Sequence, residues 1–475
     1  MENQPPRPLQ NPQLYPQQLS QGNTNVKGTP QVAVPQYQVP TSKKRIVLII
    51  GGVLLVLSLI ILLLVLILNR GSSDEPKEAT LTYWGLWEDA SVFSEVIREF
   101  EKQNPTIKVK YEKQDIRVVG KYMDRLFARI NKGDGPDLYR FHSSWVPQLV
   151  GKKLVLPLPS SVIQATEFDT QYYEVVKKDM QVDGAFFGIP LGVDSLALFV
   201  NLEIFEAAGV EVPTTWEDLE KVARQLTVVD EQTSQIDTAG VALGTYDNIS
   251  HASDIISLLL IQNGSDLKNL AGDKKINTEQ ALQFYTNFAS GETPVWNNQM
   301  DNSKLAFTKG KLAMYFGYSW DILEISGANP ELKFQITSVP HLPGRNETIA
   351  SYWVEGVSSK TRFPNEAFVF LQFLASKPSL EKMFTAQSTT RGIGVSYPRR
   401  DMAELLKDNK LLYPFVAQMP TAVSTIFASD TYDAGSITAL NGYLANAINS
   451  VFTNGTSIAT AVETLANGVA TIIKK

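Results

Sequence analysis

The sequence predicts an α/β protein of two lobes, preceded by one transmembrane helix and a disordered N-terminal tail. Three observations carry this reading. Strand-like and helix-like segments alternate from residue 79 onward, which implies α/β lobes with crossover connections. The 405 residues after position 70 are too many for one hydrophobic core. Residues 46–68, IVLIIGGVLLVLSLIILLLVLIL, contain no charge.

Residues 1–45 are rich in Pro and Gln, with few large apolar side chains. Such a tail cannot bury enough surface to offset its ordering entropy and is expected to be disordered. The apolar run of 23 residues spans roughly 34 Å as a helix, enough for a bilayer with some tilt. Lys43, Lys44 and Arg45 precede it and only Arg70 follows closely. The basic flank stays inside, so the sequence predicts a single-pass cell-membrane protein with a cytoplasmic N-terminus and an extracellular C-terminal domain. A cleaved signal peptide would have a shorter apolar core and a small-residue cleavage site. Residues 69–78 read as a polar linker.

The domain 79–475 opens with ATLTYWG, where Leu81 and Tyr83 alternate with polar partners as in a strand. Val92, Phe93, Val96, Ile97 and Phe100 then recur at helical spacing until Asn104-Pro105. IKVKYEK alternates again, and Met123, Leu126, Phe127 and Ile130 mark a second helix. GDGPDLYRF reads as a turn into a strand. Further on, WEDLEKVARQL (216–226) is a helix with Thr215 as its cap and Asp218 in the capping-box position. Helices are expected over 279–290, 365–375, 401–408 and 458–473. LALFV, LAMYF and FQITSV read as strands.

Residues 1–70 carry six Lys/Arg and one acid, a net +5; with −6 for the whole chain, residues 71–475 carry −11. An acidic domain argues against nucleic acid and anionic lipid as ligands. The absence of Cys excludes disulfides, thiolate catalysis and Cys-ligated metals. Three scattered histidines, His142, His251 and His341, make a His-rich metal site an unattractive reading. No metal or other cofactor is expected.

The order of motifs resembles the family 1 extracellular solute-binding proteins of ABC importers, the maltose-binding-protein-like group. The matching stretches are LTYWGLWED with VIREFEKQNPTIKVKYE, INKGDGPDLYRFHSSW, VDGAFFGIPLGVDSLALFVNLEIFEAAGVEVPTTWEDL, AFTKGKLAMYFGYSWDI and SYWVEGVSSKTRFPNEAFVFLQFLAS. Together they cover about 79–473. The resemblance implies a periplasmic-binding-protein-like fold, type II-like, with a hinge. Lobe one would hold about 79–190 and 344–395, and lobe two about 195–338 and 400–475. Crossings would fall near Leu191–Ser195, Ser338–Pro343 and Val395–Arg400. The implied function is capture of a mono- or oligosaccharide between the lobes and delivery to an ABC permease, by a monomer without enzymatic activity. A tethered sugar sensor or adhesin on the same fold is the alternative.

Sugars offer C–H faces and hydroxyl edges, so a sugar site needs flat aromatic platforms and polar groups of high capacity. All seven Trp lie beyond residue 78. Trp84 and Trp87 flank the end of the first strand, beside Glu88 and Asp89. Trp145 follows Ser144, Trp320 follows Tyr318, and Trp353 precedes Glu355. These are strand ends, where ligands of open α/β sheets sit. Trp84, Trp87, Glu88, Ser144, Trp145, Asp194, Tyr318, Trp320, Trp353 and Glu355 are therefore the candidate ligand contacts. Core packing is the competing reading for each Trp, and Trp216 and Trp296 are assigned to structure. Asp194 matches a family position that is acidic and contacts sugar; a hinge charge is its alternative. His142 serves equally as ligand contact or support, and Asn248 and Asp254 read as caps. Family positions that hold an acidic–basic pair carry Ser144 and Trp145 here, which argues against maltodextrin itself. A glycosidase would need two facing carboxylates about 5–10 Å apart, and no motif pairs Glu88, Asp89, Asp194 and Glu355.

Overall fold

The computed structural model describes Gly52 and residues 54–63, 78–116, 121–291, 293–433 and 435–473. The chain divides into two compact units, 1–75 and 76–475. In the first, residues 54–63 are helical. The anchor expected over 46–68, and with it the single-pass location, is not supported. Among the described residues no helix is long and apolar enough to cross a membrane. The rest of the expected span, the tail 1–45 and residues 69–77 lie outside the described residues.

The second unit begins as its patterning predicts. Strand β1 (Ala79–Gly85) is followed by helix α1 (Ala90–Gln103), which buries Val92, Phe93, Val96 and Phe100. Strand β2 (Ile107–Lys113) leads to α2 (Lys121–Lys132), with Tyr122, Met123, Leu126 and Ile130 inward. Then come β3 (Leu138–His142), β4 (Ile189–Pro190) and β5 (Ala197–Asn201). Helix α3 (Trp216–Leu226) starts at Thr215, whose hydroxyl accepts from Asp218 N and donates to the Asp218 carboxylate. Strands β6 (Val228–Val229) and β7 (Ile236–Val241) precede helix α4 (Ala252–Gln262). Strand β8 (Leu312–Gly317), helix α5 (Asp321–Ala328), β9 (Phe334–Thr337) and β10 (Trp353–Val357) follow. The chain continues through α6 (Pro364–Leu374), α7 (Lys377–Arg391), α8 (Ser436–Asn454) and α9 (Ile458–Ile473). The helix expected at 401–408 is a 3-10 helix over Arg400–Leu406.

Two five-stranded sheets result, one per lobe. The first has the order β2-β1-β3-β10-β4 and the second β9-β5-β8-β7-β6. In the first, β1 pairs in parallel with β2 and β3, and β10 runs antiparallel to β3 with Trp353 opposite His142. In the second, β8 is parallel to β7 and antiparallel to β5.

The chain passes between the sheets where three segments abut. Val193 N donates to Ser396 O, Ser351 N to Asp194 O, and Leu196 N to Ile349 O. Gly192 is required here, because a Cβ would meet the Val395 side chain. The second passage falls later than Ser338–Pro343. Pro340 and Glu347 still accept from Gln262 of α4 through their carbonyls, and the first sheet is joined only at Trp353. The third also runs beyond Val395–Arg400. Arg399 bridges Tyr172 and Arg400 binds Asp169 O, while Phe415 O accepts from Ser195 in the first passage.

Gly240 on β7 lies against α3, and a Cβ there would overlap the Ala223 backbone carbonyl. A helix backbone cannot turn aside as a side chain can. Gly240→Ala is expected to cost about 1–3 kcal/mol, seen as a lower urea midpoint at unchanged slope.

Candidate ligand-binding cleft

The strand ends of the two sheets bring aromatic rings together at the lobe junction. On lobe one, Trp87 and Trp353 meet edge to face with centroids 4.7 Å apart. Trp87 is 39% exposed, and Trp353 is half-buried. Behind them lie His142, 5.3 Å from Trp353, and Trp145, 5.6 Å from it. Trp145 is 1% exposed, packs near Tyr122 and donates its indole N–H to Thr431 O at 3.1 Å. Trp84 also faces inward, with its N–H on Glu112. Ser144 is half-buried and bonded to His142 Nδ1 at 2.7 Å. Burial drives the His142 pKa down to about 3, so the ring is neutral between the Ser144 and Ser351 hydroxyls.

On lobe two, Trp320 stacks on Tyr318 at 4.4 Å and 16°. Tyr318 is buried and donates to Asp254 at 3.0 Å, whereas Trp320 keeps a partly open face. Tyr432 lies 6.4 Å from Trp353, so a ring from the segment before α8 approaches the lobe-one wall. Neither Tyr432 nor its neighbours Ser429 and Asp430 stands out in the sequence. They sit in a short loop without periodicity, and only its aromatic residue between two aspartates hints at a site.

The candidate carboxylates are committed elsewhere. Glu88 and Glu355 both bind Arg140, each at 2.5 Å, and all three are buried. Tyr83 also donates to Glu355, whose second oxygen is buried without a partner. Burial raises the Glu355 pKa, opposed by Arg140. Burial alone would depress the Arg140 guanidinium, but Glu355 and Glu88 hold its pKa well above the usual arginine range. Asp194 is buried in the first passage and accepts from Ser319 N and Oγ and from Ser195 N. Burial pushes it up to about 7 against those bonds. Glu88, Asp194 and Glu355 thus tie parts of the protein together.

Lobe two contains a row with the spacing of a nucleophilic triad. Asp321 lies 2.8 Å from His251 Nε2, and Ser429 Oγ lies 3.0 Å from Nδ1. Its protons are in the wrong places for nucleophilic attack. His251 also meets Asp430 at 3.1 Å. Burial works to lower the His251 pKa, but Asp321 and Asp430 outweigh it, and the ring stays cationic. The Ser429 hydroxyl donates to Asp254 at 2.5 Å. A protonated base and a committed hydroxyl hold a loop; they do not attack an ester. Among the described residues no group of His, Cys, Asp and Glu could hold a metal ion.

Residues 95–412 match the family of bacterial extracellular solute-binding proteins. The chain belongs to this family. A putative binding protein of Brucella abortus is 22% identical to this solute-binding protein over 293 residues, 60% of this chain and 68% of the relative. The multiple sugar-binding protein of Streptococcus mutans is 22% identical over 333 residues, 66% of this chain and 76% of the relative. A cyclo/maltodextrin-binding protein complexed with maltotetraose superposes with a TM-score of 0.68 at 18% identity, covering 85% of this chain and 99% of that one.

Two outcomes follow from the buried charges of this solute-binding protein. Arg140→Met leaves Glu88 and Glu355 without a counter-charge and is expected to cost about 3–5 kcal/mol, measured by urea unfolding. Adding Glu88→Gln and Glu355→Gln should recover most of the loss. Asp194 has a folded pKa raised from 3.8 to about 7, so its protonated form favours the folded state. That contribution is complete below about pH 4 and is lost as pH rises through 7. The stability of the wild type relative to Asp194→Asn should therefore fall across this window, by at most about 1.4 kcal/mol per pH unit.

Proposed function

We propose that the cleft captures a carbohydrate, a mono- or oligosaccharide, and that the protein presents it to an ABC importer as a monomer without changing it covalently. The observation that carries this is the set of partly open rings at the lobe junction: Trp87 and Trp353 from lobe one, and Trp320 and Tyr432 from lobe two. Flat aromatic faces on both sides suit the C–H faces of a sugar ring. Ser144 contributes a hydroxyl at the edge. Closure of the lobes about the three passages would bury the ligand. The names of the sugar-binding relatives support the class. The engagement of Glu88, Glu355, Asp254 and Asp321 within the fold argues against a glycosidase.

The test is a thermal-shift screen of the full chain against mono- and oligosaccharides, maltotetraose included. A bound sugar at 100 times its Kd should stabilise by about 2.7 kcal/mol. Trp320→Ala should then weaken binding by roughly 5- to 150-fold, about 1–3 kcal/mol, with little change in melting of the free protein. Trp145→Ala is expected to lower stability instead, by about 3–5 kcal/mol, because that ring is buried. A screen with no hit, or a Trp320→Ala variant that binds as the wild type does, would remove the basis of this reading.

A further inference from the structure

Residues 424–433 run from the short strand Ala422–Val423 to the start of α8. Lobe two holds the segment at several points. Thr425 donates to Ser257, Ser429 bonds Asp254 through both its N–H and its hydroxyl, Asp430 pairs with His251, and Asn441 of α8 donates to Ala428 O. Asp433 accepts from Ile437 N at the beginning of α8. Two contacts go the other way, to lobe one. Ser424 donates to Asp179, which also accepts from Tyr352, and the buried Trp145 N–H donates to Thr431 O.

The backbone between these contacts is strained. Asp430 and Tyr432, on either side of Thr431, both have φ 51°, and His251, which binds Asp430, has φ 59°. The left-handed region is tolerated by Asp but is unfavourable for a Tyr side chain. A residue stays there only where its surroundings over-determine it, and such residues gather at ligand clamps and switch regions. Here the surroundings are identifiable: Asp433 is fixed on Ile437 N, Asp430 is fixed on His251, and lobe one grips the carbonyl between them.

We infer that Trp145 is a positioning residue, the lobe-one half of a clasp on Thr431 that favours the closed arrangement of the lobes. The clasp rests on the reading of the cleft as a hinged binding site. Its indole N–H holds the segment to lobe one, sets the backbone on which Tyr432 is displayed, and places that ring opposite Trp353. Ser424 and Asp179 form a second, more exposed catch. Separating the lobes breaks both bonds and lets Tyr432 leave the left-handed region. The loss of hydrogen bonds and the relief of strain oppose one another. The resting population of closed molecules is therefore sensitive to either contact.

The chain contains no Cys, so two introduced cysteines can be labelled cleanly. Lys152→Cys on lobe one and Lys274→Cys on lobe two, both exposed, would carry spin labels in the full chain without ligand. The distance distribution should hold a short population for the closed arrangement and a longer one for the open. Trp145→Phe keeps a ring against Tyr122 and Trp353 but removes the N–H. It should raise the longer-distance population by roughly 2- to 12-fold, the range of one net hydrogen bond. Ser424→Ala, at a site where folding is not at stake, should shift it in the same direction. Distributions unchanged by both substitutions would overturn the clasp, as would a lower melting temperature in Trp145→Phe with the distances unmoved. Because these readings need no sugar, a clasp that responds while no sugar stabilises the protein in the thermal-shift screen would count against the proposed function alone.

Discussion

Arg140 carries a charge in the interior of lobe one, and a large part of the lobe is arranged around satisfying it. Its guanidinium binds Glu355 on the neighbouring strand β10 and Glu88 just after β1, so three consecutive positions in the sheet order are tied by one side chain. The tie does not end there. Gln387 on α7 donates to Glu88, and its carbonyl oxygen accepts from Val395 N in the third passage. A polar path therefore leads from the sheet, through a helix, to the place where the lobes are joined. A buried ion of this kind is tolerable only if every partner stays in register. That requirement fixes the strand ends from which Trp87 and Trp353 project.

The opposite wall solves the same problem with a different cation. His251 stands between Asp321 at the start of α5 and Asp430 in the segment before α8, and Asp254 beside it takes the Ser429 hydroxyl and the Tyr318 phenol. In both lobes the charged groups form the framework and the aromatic rings form the surface. A ligand without charge suits such a cleft, because it asks for C–H contact and a few hydroxyls and leaves the buried pairs intact.

Those helices whose one face meets the core were legible in the sequence. Helices α1 and α2 show their buried residues at helical spacing, and α3 announces its start through Thr215 and Asp218. Helix α4 showed no period, because it is buried on nearly every side; its one signal was the caps expected at Asn248 and Asp254, whereas the N-cap is His251 and Asp254 lies in the first turn. Of the aromatic residues expected at strand ends, Trp87, Trp320 and Trp353 present partly open faces at the lobe junction. Strand ends could not tell them from Trp84 and Trp145. Those two turn inward because their N–H groups find Glu112 and Thr431 O, and the second partner lies 286 positions away. Glu88 and Glu355 are similar cases: their common partner Arg140 is 52 and 215 positions away. A carboxylate beside a tryptophan looks like a sugar contact until the distant cation that claims it is known.

The His251–Asp321 pair is 3% and 0% exposed at its side chains. Mobile ions reach such a pair poorly, whereas exposed charges more than about 8–10 Å apart are largely screened at physiological ionic strength. A receptor working outside the cytoplasm meets salt concentrations that the cell does not regulate. With the lobe-two wall held in part by a pair that dissolved ions reach poorly, the shape of the cleft depends less on the salinity of the medium than the exposed ion pairs of the surface do.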